Sequence, residues 1–185
     1  MKKYLLLAIM STVIAGCAAP DIFNEKGSQP IHKVKDGDMI GATHRAADAL
    51  TTQAGYLKTD LKPVLITSVA NITNLNTSSA FGLMVSEQIG SRISQFGFPV
   101  VDVRTRKDIK VREKTGEFML SRDIRKISRQ HAAGAVLMGT YAAGRDKVFV
   151  STRLVRPEDN RILASYDFYL PMGPDVSRMV RKKTR

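Results

Sequence analysis

The sequence predicts an α/β protein, an α+β mixed sheet with its helices packed on one face, in the order α-β-α-β-α-β-β-β. Three observations carry this. Apolar residues recur at helical spacing in three stretches ahead of residue 134, and short Val- and Ile-rich runs separate those stretches. From Gly134 onward the pattern changes to strands with turn signals between them. Helical and strand segments that alternate first and then give way to consecutive strands specify a mixed sheet.

The first helix starts at Gly41, because Ala46, Leu50, Ala54 and Leu57 share one face at spacings of four, four and three. The run from Lys62 to Asn71 is rich in Val, Leu and Ile, is bounded by Pro63 and an Asn-rich stretch, and reads as one buried strand. Thr77, Ser78 and Ser79 supply N-cap residues for a helix ending at Phe96. Its stripe is Phe81, Val85, Ile89, Ile93 and Phe96, with Ser86, Glu87, Ser91 and Gln95 turned away. Gly97 is the expected left-handed residue after that helix, with Phe98 folding back on Ile93. Pro99–Val103 is a second short strand.

A basic stretch follows, in which Ile109 and Val111 alternate with charges as an edge strand would. Ser121 is placed to cap a helix through about Ala133, with Asp123 in its first turn; Ile124, Ile127 and His131 share a face, and Gly134 ends it. Gly134–Tyr141 is mostly apolar and reads as a central strand. Gly144-Arg145-Asp146 is a hairpin signal. In Lys147–Val155 the residues Val148, Val150, Thr152 and Leu154 face inward and Arg153 outward. After the Pro157–Asn160 turn, Ile162, Ala164, Tyr166, Phe168 and Leu170 alternate with Leu163, Ser165, Asp167 and Tyr169, and the two strands read as half-buried antiparallel neighbours.

Composition narrows the function classes. The chain has 185 residues, a formal charge of +12, one cysteine and no tryptophan. One cysteine forms no intramolecular disulfide and no Cys-rich zinc site. An aromatic share of 6% argues against a stacking platform for single-stranded nucleic acid. Lys2 and Lys3, the apolar Tyr4–Met10 run and the small residues before Cys17 have the layout of a secretory signal. Ile14-Ala15-Gly16-Cys17 resembles the bacterial lipobox, which implies a covalent diacylglycerol and N-acyl lipid on Cys17. Several acyl chains anchor firmly where a single one does not. Ala18 and Ala19 rather than Asp follow the cysteine, the pattern of lipoproteins at the periplasmic face of the outer membrane. Export removes nucleic acid from the partner list despite a pI near 10.0.

The expected organisation is a signal peptide at 1–16, a lipidated N-terminus and flexible tether at 17–40, a single domain at 41–172 and a basic C-terminal tail at 173–185. That tail holds Arg178, Arg181, Lys182, Lys183 and Arg185 without an acid after Arg178. Such a run reads as solvated, or as a contact for anionic lipid headgroups, peptidoglycan or an acidic protein face.

The catalytic inventory is thin. His32, His44 and His131 stand far apart, and His131 on an apolar helix face reads as a core or cap residue. No nucleophile elbow, P-loop or dinucleotide fingerprint is present. No catalytic residue, metal ligand or cofactor beyond the lipid is assigned.

Residues 78–104 (Ser-Ser-Ala-Phe-Gly-Leu-Met-Val through Val-Val-Asp-Val-Arg) resemble the helix–strand unit of the FlgO family of flagellar outer-membrane lipoproteins. Lys-Thr-Gly-Glu-Phe-Met-Leu-Ser-Arg-Asp at 114–123 is the most specific match. Val-Leu-Met-Gly-Thr-Tyr (136–141), Ser-Thr-Arg-Leu-Val-Arg (151–156) and Ile-Leu-Ala-Ser-Tyr (162–166) extend it. The likeness covers roughly 44–172 and leaves the tether and the basic tail without a shared pattern. It implies a core similar to the N-terminal domain of TolB, and a non-enzymatic envelope component that supports motility through contacts with other flagellar or envelope proteins. The basic residues Arg104, Arg106, Lys107, Lys110, Arg112 and Arg122 are the candidate partner surface.

Overall fold

The computed structural model describes residues 34–75, 77–103 and 122–181. Outside them lie the signal peptide, Cys17, most of the tether, Arg104, Arg106, Lys107, Lys110, Arg112, the Ile109–Val111 alternation, Ser121, Lys182, Lys183 and Arg185.

Asp38 starts the first helix, α1 (Met39–Gln53), by accepting a hydrogen bond from the Gly41 N–H at 2.8 Å. Ala42, Ala46, Ala47 and Leu50 then enter the core. A single turn, α2 (Tyr56–Thr59), brings Leu57 in behind them. The run expected as one strand is two: β1 (Val64–Ile66) and β2 (Ala70–Asn71). Both pair in parallel with β4 (Ala135–Ala143), but Ile66 pairs with Leu137 while Ala70 pairs with Thr140. Four steps along one strand match three along the other, so one residue bulges out between them.

The bulge explains a second departure from expectation. Thr67 N–H still pairs with Leu137 O at 3.3 Å, and hydroxyl groups supply further partners. Thr67 Oγ1 donates to Leu137 O at 2.7 Å, and Val69 N–H donates to Ser86 Oγ at 2.9 Å. Ser78 Oγ in turn donates to Val69 O at 2.7 Å. Ser86, expected on the polar side of its helix, is fully buried for this reason.

That helix, α3 (Ala80–Gln95), is capped by Ser79 as expected, and Phe81, Val85, Ile89 and Ile93 are fully buried. Phe96 leaves the stripe for the surface, where the Arg92 guanidinium stacks 4.7 Å from its ring centre. Gly97 takes φ +81°, the left-handed conformation that favours glycine, and Phe98 returns to the core. The strand β3 (Val100–Asp102) follows.

The next helix, α4 (Arg122–Gln130), ends on Ala132 at φ +49°, two residues before the expected glycine. Ala133 N–H bonds to Ser128 O at 2.8 Å and Ala132 N–H to Arg129 O at 3.2 Å, the paired bonds of a Schellman end. Gly134 has a different role: a Cβ there would meet Lys62 Cβ at 2.7 Å and Leu57 at 2.8 Å.

The sheet order is β3-β1-β4-β5-β6, with β5 at Lys147–Val155 and β6 at Ile162–Pro171. β3, β1 and β4 are parallel, and β5 and β6 complete an antiparallel meander. The Gly144–Asp146 turn and the inward face Val148, Val150, Thr152 and Leu154 are as expected. A bulge at Leu154/Val155 shifts the start of β6, so Ile162 points out, 51% exposed, and Leu163 packs against the core instead.

The expected element order holds, with α2, β2 and a terminal helix added, but the helices divide between two faces. α1 and α3 pack against Val64, Ile66, Ala135 and Leu137, whereas α4 packs against Leu65, Val136 and Met138. The strand order dictates this. The connection through α3 steps outward from β1 to β3, and the connection through α4 steps back past β1 to β4. Parallel crossovers are right-handed, so opposite directions put the two helices on opposite faces.

The segment expected as tail begins with a helix, α5 (Pro174–Val180), whose Val176 is buried and whose Met179 and Val180 pack on the α1–α3 side. No side chain of its own caps it. Asp36 does so from 140 residues away, accepting from Val176 N–H at 3.1 Å and from Asp175 N–H at 3.0 Å. Ordered structure thus begins ahead of Gly41 and continues past residue 172.

Two substitutions test this account by chemical denaturation. Ser86→Ala leaves the buried Val69 N–H without its acceptor and is expected to cost about 1–3 kcal/mol. Ala132→Gly relieves a left-handed alanine and is expected to stabilise by about 0.5–1 kcal/mol.

Candidate functional site

In open sheets with parallel strands, ligands enter beyond the carboxyl ends of the strands, where the winding direction reverses. Here that point lies between β1 and β4, and the chain fills it with its own residues. Thr67 bonds across to Leu137, β2 pairs with β4 immediately afterwards, Ser78 bonds to Val69 O, and Ser79 starts α3. Among the described residues no group of three or more His, Cys, Asp or Glu is arranged to hold a metal. His44 on α1 and His131 at the end of α4 are half-buried on separate elements, so His131 is a helix-end residue.

The polar surface gathers elsewhere. Of the basic-tail residues, Arg178 and Arg181 are described, both exposed, on and just after α5. They line an open cavity of about 770 Å³ together with Ser78, Ser79, Ala80 and Ser177. The fold therefore brings the C-terminal arginines to the start of α3, a proximity that no spacing in the sequence carries. The i, i+3 interval of Arg178 and Arg181 was the available signal, because it puts both on one helix face. Of the candidate partner surface, Arg122 is the first residue of α4; Lys126 and Arg129 of that helix are exposed to solvent. Arg125 reaches across it, its NH2 group donating to Asn160 Oδ1 at 3.2 Å.

A second surface was not anticipated. Past α4 the same face of the sheet is open, and Ile72, Phe149 and Tyr169 are each more than half exposed. They border a shallow groove of about 410 Å³ with Thr140, Ala142 and Asp167. The Phe149 and Tyr169 rings lie 6.4 Å apart, and Lys147 Nζ sits 4.2 Å from the Tyr169 ring centre. The adjoining edge of β6 is partly closed by Gln53. Its side-chain amide donates to Ser165 O at 3.0 Å and accepts from Ser165 N–H at 3.3 Å, as the peptide group of a neighbouring strand would.

One ion pair joins the two long helices. Arg92 on α3 holds Asp48 on α1 through Nε–Oδ1 at 2.8 Å and NH2–Oδ2 at 3.3 Å. The hydrogen bonds from Arg92 hold the Asp48 carboxyl below its ordinary range; partial burial opposes this, and the charges of Arg92 and His44 reinforce it. The same hydrogen bonds raise the Arg92 guanidinium, with burial again opposing and the Asp48 charge adding to the rise.

The family of the FlgO protein matches residues 44–175, most of the chain. The chain belongs to the FlgO family. No curated protein matches it. Among solved structures, the LpoB C-terminal domain from Salmonella enterica superposes with a TM-score of 0.53 at 18% identity, covering 72% of this chain and 98% of that one. The Escherichia coli LpoB C-terminal domain gives 0.48 at 17%, with the same coverage of 72% and 98%. A Neisseria meningitidis lipoprotein, GNA1162, gives 0.42 at 17%, covering 61% of this chain and 82% of that one. At such identities the Salmonella domain establishes the shared fold of this FlgO-family chain.

The Asp48–Arg92 pair predicts a pH dependence. A carboxyl lowered by folding stabilises the native state above its unfolded value, and that contribution is lost as pH falls through the folded value. Both side chains are partly exposed, at 42% and 31%, so the effect is small and screened by salt. Arg92→Gln is expected to lower the melting temperature slightly at pH 7. The gap to wild type should close as pH falls below about 4, which melting curves across pH and at low salt would read.

Proposed function

We propose that this FlgO-family chain is a non-enzymatic envelope lipoprotein, anchored at the periplasmic face of the outer membrane through acylated Cys17. It supports flagellar assembly or stability, and hence motility, by binding other envelope proteins. The family match over residues 44–175 carries this reading. The filled crevice between β1 and β4 supports it, because the position where this topology takes a small ligand is occupied by the chain's own backbone.

Partner binding is assigned to the basic stretch between β3 and α4, with Arg104, Arg106, Lys107, Lys110, Arg112 and Arg122. Both flanking elements are secured by the core, Val103 at one end and Ile124 at the other, each at most 2% exposed. A connection held by two rigid elements is well suited to recognition.

Swimming in soft agar tests both levels. A strain lacking the gene is expected to lose swimming, to regain it with wild type and not with Cys17→Ser. The Lys110→Glu, Arg122→Glu double variant is expected to fold and reach the membrane yet fail to restore swimming. Full swimming by the deletion strain would refute the flagellar role. Full rescue by the double variant would refute only the assigned surface.

A further inference from the structure

The two ends of the described chain meet. Val34 is its first residue, and its first anchoring point is Asp36, whose carboxylate holds the N–H groups of Asp175 and Val176. The crossing is close: a Cβ on Gly173 would collide with the Asp36 backbone, and one on Gly37 would press on Pro171. The incoming chain is thereby fastened to the first turn of α5. Arg181 lies five residues beyond Val176, about 8 Å along the helix at 1.5 Å per residue. Arg178 and Arg181 project from one exposed face, while Val176, Met179 and Val180 turn inward.

The local charge balance favours an anionic partner. Residues 178–185 contain five basic side chains and no acid. Asp36 and Asp38 already answer helix N-termini, Asp36 on α5 and Asp38 on α1, so their charge is offset by backbone N–H groups. Asp175, in the first turn of α5, is the remaining acid on that helix.

We propose that α5 is the membrane-facing side of the domain, and that Arg178 and Arg181 bind the phosphate groups of anionic phospholipids. This rests on the reading that Cys17 carries lipid and is independent of the flagellar role. Residues 17–33 lie between the anchor and the described structure. Seventeen residues span at most about 60 Å, so the anchor is covalently limited to that distance from the point of entry at Asp36. The surface around that point of entry carries the two arginines. Tethering raises the effective lipid concentration at α5, so individually weak contacts become persistent. A polybasic segment beside an acyl anchor is a recognised source of the second membrane signal. The cavity next to the arginines, with Ser79 and Ser177 on its walls, offers room at the scale of a headgroup.

The test uses the lipidated full-length mature protein reconstituted into vesicles. With Cys17 acylated, an introduced cysteine is the only free thiol and takes an environment-sensitive dye. Asp175→Cys puts the dye on α5, three residues before Arg178, and Arg129→Cys puts it on α4. The expected result is a blue shift of the α5 dye in vesicles containing phosphatidylglycerol over that in pure phosphatidylcholine, reversed by high salt. The shift should vanish in Arg178→Gln, Arg181→Gln with an unchanged melting temperature, and the α4 dye should stay indifferent to lipid charge. An unresponsive α5 dye, a stronger response on α4, or a response only to purified peptidoglycan would overturn the proposal. Mass spectrometry separates the two readings: a protein without lipid overturns the anchor and this inference together, and a lipidated protein with an unresponsive α5 overturns this inference alone.

Discussion

Val64, Leu65 and Ile66 pair with β3 on one side and with β4 on the other, and their side chains enter both apolar cores. None of the three is more than 2% exposed. This short strand is the constraint on which the rest depends, because it fixes the order β3-β1-β4. Once that order is set, the handedness of parallel crossovers places α3 on one face and α4 on the other. The antiparallel meander then extends the sheet from β4, and α1 covers its inner side alongside α3. Shortening β1 further would detach two cores at once, not one strand.

The bulge after β1 shows how polar groups stabilise an apolar design. A strand buried on both faces cannot end abruptly in the core, because its freed N–H and C=O groups would each lack a partner. Hydroxyls from Thr67, Ser78 and Ser86 supply those partners, and the price is that small polar residues occupy positions that would otherwise be apolar. The same arrangement draws β2 onto β4 and fills the crevice that related topologies leave open. Among the described residues, the exposed features that remain are an aromatic patch on the open sheet face and an arginine-bearing helix.

Those surfaces are supported unequally. The aromatic patch is backed by the rigid β4–β6 meander, with one edge position satisfied by Gln53, so it presents side chains without a wholly free strand edge. The arginine-bearing helix is short, and its seven residues would be marginal alone. Burial of Val176 and capping by Asp36 hold it in place, so α5 depends on the residues just before α1. The exposed Asp48–Arg92 pair contributes less than either of these, and its value is orientational, setting α1 against α3.

Local chemistry was legible in the sequence. The Ser79 cap, the buried stripe from Phe81 to Ile93, the left-handed Gly97, the central β4 and the alternation in β5 all follow from side chains and neighbours within a few residues. The motif likeness that identified the FlgO family is equally a property of consecutive residues. Tertiary structure alone decided the remainder, because each of those features depends on partners remote in the chain. Ser86 is buried since Val69, seventeen residues away, needs an acceptor. Ile162 points out since a bulge opposite Val155 shifts its register. The helix after Arg122 crosses to the far face because of strand order, which periodicity does not encode. Asp36 reads locally as one acid in a tether, and becomes the cap of α5 only when the folded sheet brings residues 36 and 176 within hydrogen-bonding distance.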